Sequence, residues 1–217
     1  MVLIQNDKLL YGPAEYNVGM IKFTLNEEEL TALNPIPSKF TGEAVDLGNG
    51  IKILPETIIY PNLNTKIEQL SGPSWVFSDD IATGTYNVAP KSLESVKNDL
   101  KSLVASERYA KETADFHMTV NGVDVIVEGS RENKTIFMIS APFLSETEPS
   151  VWKFPKSQNF VPIVRADIYS VIYAFATQTQ NAFDWESAKV QEIDACTTLA
   201  ELDAVIIVPT EPVQGGL

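Results

Sequence analysis

Apolar residues recur every three or four positions between Val164 and Ala195: Ile168, Val171, Ile172, Phe175, Ala182, Phe183, Val190 and Ile193, with Thr179 and Glu186 interrupting the stripe. That spacing predicts one long amphipathic helix, with Phe175 and Phe183 on its core-facing side. Tyr169 and Tyr173 lie one turn apart beside the stripe, and Trp185 falls on a different face again. Such a helix is expected to pack against more than one neighbour. A second helical period, Leu93, Val96, Leu100, Leu103 and Val104, predicts a helix over Leu93 to Lys111 with Ser92 as its cap and fewer than two heptads of seam. Ser130 opens a short helix over Lys134 to Ile139, and Thr198 with Glu201 has the spacing of a capping box for a closing segment.

Elsewhere the period falls to two. Met118 to Val120 and Val123 to Val127 alternate on either side of Asn121-Gly122, the dipeptide best suited to a type I′ turn because both central residues need positive φ. Trp152 to Phe154 and Phe160 to Val164 are expected to pair around Pro155-Lys-Ser-Gln-Asn. In the first ninety residues, Val2 to Gln5 and Lys8 to Tyr11 flank Asn6-Asp7, and Ala44 to Leu47 and Ile51 to Leu54 flank Gly48-Asn49-Gly50. Thr65 to Leu70 and Ser74 to Ser78 form a third expected hairpin around Ser71-Gly72-Pro73, and Thr85 to Val88 a further strand. Phe23 to Leu25 is a weaker strand candidate, followed by a short helix or loop at Asn26 to Leu30 before Pro35 and Pro37.

Strands gather early and helices late, which predicts an α+β chain rather than an alternating doubly wound sheet. We divide it into a β-rich domain over 1–89, a helical α+β domain with a β-hairpin over 90–208, and a flexible tail over 209–217, with Ala89-Pro90-Lys91 at the boundary.

At 217 residues and 44% hydrophobic, the chain has enough apolar material for a real core. Its net charge of −13 argues against a general nucleic-acid or anionic-membrane surface, which needs clustered Lys and Arg. Apolar runs fall well short of the roughly 20 residues of a bilayer span, and the N-terminus lacks the pattern of a secretory signal. Synthesis in the cytoplasm is the expectation. Cys196, the single cysteine, excludes an internal disulfide and any cysteine-based zinc cluster, and is read as a packing residue.

Catalytic patterns are absent. His117 is the single histidine and has no motif around it, and the nucleophile elbow, phosphate loop, dinucleotide turn and zinc helix signatures do not occur. A pair of glycosidase carboxylates is not readable from spacing, and Asp46, Glu56, Glu68, Asp79 and Asp80 would be its members. A domain of short hairpins leaves little room for a polymer cleft. We expect no enzyme activity, no cofactor and no metal. The aromatic residues are better candidates for contact, since Trp and Tyr are enriched at binding hot spots. Trp185, Tyr173, Tyr169 and Trp75 form the candidate interface, and Trp75 suits either stacking on a sugar or closing a small β core.

The order of pieces in the second half is distinctive. Helix Leu93 to Lys111, hairpin Asn121-Gly122, Ser130-Arg131-Glu132, Trp152-Lys153-Phe154-Pro155, Phe183-Asp184-Trp185-Glu186-Ser187-Ala188-Lys189 and Thr197-Thr198-Leu199-Ala200-Glu201-Leu202-Asp203-Ala204 follow one another. This resembles a family of bacteriophage tail-associated domains of uncharacterised function, which occur at the C-termini of phage tail proteins and of some tail-fibre assembly proteins. The resemblance runs from roughly Pro90 to Ile207. It implies a virion-tail location, other tail proteins (tube, baseplate or fibre) as partners and symmetric copies of the chain. A structural component such as a baseplate, fibre-attachment or adaptor protein is the leading expectation, ahead of a tail-fibre assembly chaperone and a receptor- or sugar-binding tail module. Arg131 matches the family's motif, where a buried structural pair, a helix cap or a partner contact would each explain it.

Overall fold

A computed structural model describes residues 1–15, 20, 24–31, 33, 34, 36 and 38–209. The candidate strand Phe23 to Leu25 begins at a residue outside the described ones, as do Pro35, Pro37 and all of the expected tail after Pro209. The architecture is α+β, with strands concentrated in the first part and helices in the second. The chain divides into two compact units, Met1–Lys91 and Ser92–Leu217.

Among the described residues, the first unit holds two sheets. In one, strands β1 (Val2–Gln5), β2 (Lys8–Tyr11), β3 (Val45–Gly48) and β4 (Ile51–Leu54) run antiparallel in the order β2-β1-β4-β3. Asn6 and Asp7 both take positive φ, 48° and 61°, as a tight turn between right-twisted strands requires. Strand β1 is buried on both faces. Leu3 packs with Leu25, Leu47, Ile51 and Ile53, while Val2 and Ile4 point the other way onto Leu54 and Ala82. Helix α1 (Glu27–Thr31) opens with a reciprocal cap, Glu29 N donating to Asn26 Oδ1 and Asn26 N donating to Glu29 Oε2, both at 2.9 Å.

The second sheet corrects the reading of residues 65–78. Instead of a hairpin about Ser71-Gly72-Pro73, one continuous strand, β6 (Glu68–Phe77), pairs antiparallel with β7 (Ala82–Pro90), and the register slips between Ser71 and Ser74. The physical reason is position: β6 is an edge strand, where a bulge absorbs an extra residue and a proline lacking its N–H is tolerated. The turn falls at Ser78 to Ile81, closed by Ser78 N donating to Ile81 O at 3.0 Å. Strand β5 (Glu56–Ile59), which the pattern did not predict, pairs parallel with β7. The connection between these parallel strands contains β6 and no helix among the described residues.

In the second unit, Ser92 caps α2 (Leu93–Thr113) by accepting from Ser95 N at 3.1 Å. Val96, Leu100 and Val104 are buried and Leu103 is exposed. Strands β8 (Phe116–Val120) and β9 (Val123–Val127) form the expected hairpin, with Asn121 and Gly122 at φ 48° and 77°. Helix α3 (Arg131–Ser140), capped by Ser130, runs into a 3-10 turn at Ala141–Phe143. A second hairpin, β10 (Ser150–Phe154) with β11 (Asn159–Ile163), then leads into the long helix α4 (Arg165–Ala195), and α5 (Leu199–Ala204) closes the unit. The expected Thr198–Glu201 box forms, at 3.1 and 3.2 Å.

The core of this unit gathers around Phe137, whose ring lies 5.0 to 6.1 Å from those of Trp152, Phe154 and Phe175. Both hairpins contribute, through Val120, Val125, Val127, Phe154, Val161 and Ile163, and α4 supplies Ile168, Val171 and Phe175. Asn121 ties the turn of one hairpin to the start of α4, donating from Nδ2 to Pro162 O at 2.6 Å and to Asp167 Oδ2 at 3.0 Å. Asp167 Oδ2 also accepts from Val164 N at 2.8 Å, so the first turn of α4 is held from two sides.

Candidate interaction surface

Helix α4 carries its chemistry in layers set by helical spacing. Its inward face consists of Ile168, Val171, Phe175, Ala182 and Ile193. The two residues that interrupt the apolar stripe both meet cations from other helices. Thr179 Oγ1 accepts from Lys134 Nζ at 3.1 Å, and Glu186 Oε2 lies 3.3 Å from Arg108 Nε. Phe183, expected in the core, is instead 47% exposed, with the Arg108 guanidinium 5.0 Å from its ring centroid. The correction is angular: Ala182 takes the inward position, and the next residue is turned about 100° away from it.

The C-terminal end of α2 is the polar hub of the unit. Glu112 is buried, and Arg131 donates to it twice, Nε to Oε1 at 3.1 Å and Nη2 to Oε2 at 3.0 Å, while Arg108 Nη1 donates to Oε2 at 2.6 Å. Arg131 therefore has the role of a buried carboxylate's partner. Its hydrogen bonds hold Glu112 below the usual carboxylate range, against burial, which acts in the opposite direction. Lys134 Nζ donates to the Glu112 carbonyl at 2.6 Å, and Gln178 Nε2 to the carbonyls of Lys111 at 3.1 Å and Ala114 at 2.7 Å. These bonds satisfy carbonyls that a helix end leaves without intrahelical partners. Burial pulls the Lys134 ammonium below the usual lysine range.

The outward face of α4 holds two of the expected contact residues side by side. Tyr169 is 52% exposed and Tyr173 75% exposed. Trp185 is half-buried, with Lys111 Nζ 4.8 Å from its ring centroid. Tyr173 and Trp185 line one groove of about 600 Å³, floored by Ala174 and Ala182 and flanked by Lys111. A second groove, about 340 Å³, runs along the other side of the helix between α3 and α4, lined by Lys134, Met138, Ile172, Phe175, Ala176 and Thr179 among others. The apolar side chains Ile136, Met138, Ile139 and Phe143 on α3 and the 3-10 turn are also exposed, a feature the sequence reading missed.

Trp75 belongs to the first unit. It stands within β6, where its ring covers Gly84 of β7 so closely that a Cβ there would lie 2.9 Å from Cη2, and it stacks on Phe77 at 6.2 Å. Packed against Val2, Ile4, Leu54 and Ala82, the ring closes the β core.

His117 is exposed on β8, and Cys196 caps the end of α4, with Sγ 3.3 Å from the Glu192 carbonyl. Among the acids considered for catalysis, Asp46 accepts from Gly48 N at 2.8 Å, Glu68 from Asn64 N at 2.8 Å and Asp79 from Lys52 Nζ at 2.9 Å. Among the described residues no group of three His, Cys, Asp or Glu side chains is placed to hold a metal, and no helix is long and apolar enough to cross a membrane. Compared with family models, curated proteins and solved structures, the chain matches none of them.

Proposed function

We propose that this protein is a non-enzymatic structural component of a bacteriophage tail, a baseplate, fibre-attachment or adaptor protein that acts through protein–protein contacts. The observation that carries the reading is the outward face of α4. Tyr169 and Tyr173 stand exposed on a helix whose opposite side is fixed into the core, the usual arrangement of a rigid aromatic anchor. The order of motifs from Pro90 to Ile207, similar to that of phage tail-associated domains, supplies the setting. Its partners in this reading are other tail proteins and further copies of itself, and symmetric repetition multiplies modest contacts.

Mass spectrometry of purified particles tests the proposal. The chain is expected in mature virions at a fixed ratio to the tail proteins, and its absence from them overturns a structural role. An assembly chaperone would give the opposite pattern: fibre protein that needs this chain to become soluble but purifies without it.

A further inference from the structure

We infer that the cleft between α3 and α4 is a binding site for an alkyl carboxylate, with the Lys134 ammonium receiving the carboxylate and Met138, Ile172, Phe175 and Ala176 covering the alkyl chain. The cleft is separate from the face that carries Tyr169 and Tyr173 and stands independently of the tail reading.

The first support is an unfilled donor. An ammonium carries three N–H groups. At Lys134 one goes to the Glu112 carbonyl at 2.6 Å and one to Thr179 Oγ1 at 3.1 Å, and the third has no partner among the described residues. Both accepting oxygens are neutral. Since Lys134 lines the cleft and its Nζ is held by two bonds, a ligand meets a donor already fixed in place, which lowers the cost of ordering it.

The second support is charge. Glu112 is paired with Arg108 and Arg131, and Glu186 with Arg108. Three cations, Arg108, Arg131 and Lys134, therefore share two carboxylates, and the one left without an ion pair among the described residues is the one in the cleft. Glu112 acts on Lys134 only as a more distant charge, opposed by Arg131 and outweighed by burial. A chain of net charge −13 thus keeps a local excess of positive charge where an uncompensated ammonium is costly. A bound anion removes that cost. One free N–H suits a single carboxylate, whereas a phosphate group is ordinarily gathered by several donors.

The third support is shape. The cleft holds about 340 Å³, within the usual range for small-molecule sites. Its polar end is set by the bond between Lys134 and Thr179. Met138 lies one turn further along α3, and Ala176, Phe175 and Ile172 lie one to two turns back along α4. From Thr179 to Ile172 the helix rises about 10 Å, the reach of an extended alkyl chain of medium length. The Phe175 ring, 5.4 Å from Lys134 Nζ and fixed in the core, forms a rigid floor. Met138, 55% exposed, supplies an adaptable wall.

Titration of the full chain with octanoate, below its micelle concentration, tests the site. The readout is the methyl resonances of isotope-labelled methionine, with the Met138 signal assigned through Met138→Leu. That signal is expected to shift and saturate. Octanoate is expected to bind about fifteenfold more tightly than hexanoate, because each buried methylene contributes about 0.8 kcal/mol, or about fourfold. Octanol, which lacks the charge, is expected to bind about tenfold more weakly than octanoate, and Lys134→Met to abolish the difference. Lys134→Met also removes the bond to the Glu112 carbonyl, so Ala176→Phe provides a separate test. It fills the cleft from an exposed position, leaves Lys134 in place, and is expected to lose octanoate binding with the fold intact by circular dichroism. A Met138 signal that does not saturate, or equal affinities for octanoate and octanol in the parent chain, would overturn the inference. Octanoate binding that survives Ala176→Phe would place the ligand elsewhere and also overturns it. A peptide ending in leucine that shifts the Met138 signal where octanoate does not would assign the cleft to a polypeptide terminus instead.

Discussion

Arg131 binds both carboxylate oxygens of Glu112 from a position 19 residues later in the chain, so the start of α3 is pinned to the end of α2 by a two-point contact. Bidentate geometry is specific to the guanidinium fork, and lysine cannot reproduce it. Removing the carboxylate by Glu112→Ala leaves two guanidinium groups facing a buried space. We expect a loss of about 2–4 kcal/mol, toward the lower side of buried-pair deletions because Arg131 is partly open to water and Arg108 keeps Glu186. Arg131→Lys is expected to destabilise in the same direction. Urea denaturation followed by tryptophan fluorescence measures both, and an Arg131→Lys variant as stable as the parent would contradict the two-point account.

The same pair makes a prediction about pH. Arg131 holds the folded pKa of Glu112 below its ordinary value of 4.5, so the unfolded chain binds the proton more readily. The stabilisation is therefore fully present above about pH 4.5 and is lost as pH falls below that through the folded value. The stability gap between the parent chain and Glu112→Gln is expected to be widest at neutral pH and to narrow below pH 4.5. Denaturation midpoints at a series of pH values test this, and a gap that stays constant into acid would refute it.

Two phenylalanines on one helix should respond differently to truncation. Phe175 is 4% exposed and touches the rings of Phe116 and Phe137 edge-on, so Phe175→Ala is expected to cost about 3–5 kcal/mol through lost transfer energy and a cavity. Phe183 offers one face to Arg108 and much of the rest to water, so Phe183→Ala should cost under about 1 kcal/mol. Dilute samples separate the folding effect from self-association. Equal losses would place Phe183 in a core that the structure does not show.

That contrast marks the limit of periodicity as a guide. Spacing by three and four identified α4 and its inward set, but Phe175 and Phe183 are chemically identical, and the difference lies in which neighbour each meets. Turns were legible where residue type and backbone conformation are tightly linked, as at Asn6-Asp7 and Asn121-Gly122. Ser71-Gly72-Pro73 has turn composition too, and was misread because its place on a sheet edge depends on β7, formed later in the chain. Strand β5 has only four residues and a parallel partner more than twenty positions away, and a local pattern contains neither fact. In the hub, Arg108 and Glu112 stand at the helical spacing of an ion pair, although the sequence reading did not single them out. The reach of Arg131 back to Glu112 was not legible, since it depends on the hairpin that returns the chain to α2.

The return of that hairpin brings two backbones into close approach, and a glycine permits it. At Gly129, between β9 and α3, an added Cβ would lie 2.0 Å from the Ala114 carbonyl oxygen, 2.6 Å from its carbon and 2.7 Å from the Thr113 oxygen. All three are main-chain atoms at the end of α2, and Gly129 N is itself fixed by a 3.0 Å bond to Asp115 Oδ1. Neither side can yield without breaking the cap of α2 or the Arg131–Glu112 contact beside it. Gly129→Ala is therefore expected to cost about 2–4 kcal/mol, at or above the usual range for overpacking. Gly122 offers an internal comparison. Its Cβ would meet nothing within 4 Å, but its φ of 77° is unfavourable for alanine, at a cost of about 1–2 kcal/mol. Chemical denaturation of the two variants should rank Gly129→Ala as the more damaging. If Gly122→Ala proves the worse, conformational preference outweighs the steric contact, and the backbone at Gly129 has room that this packing denies it.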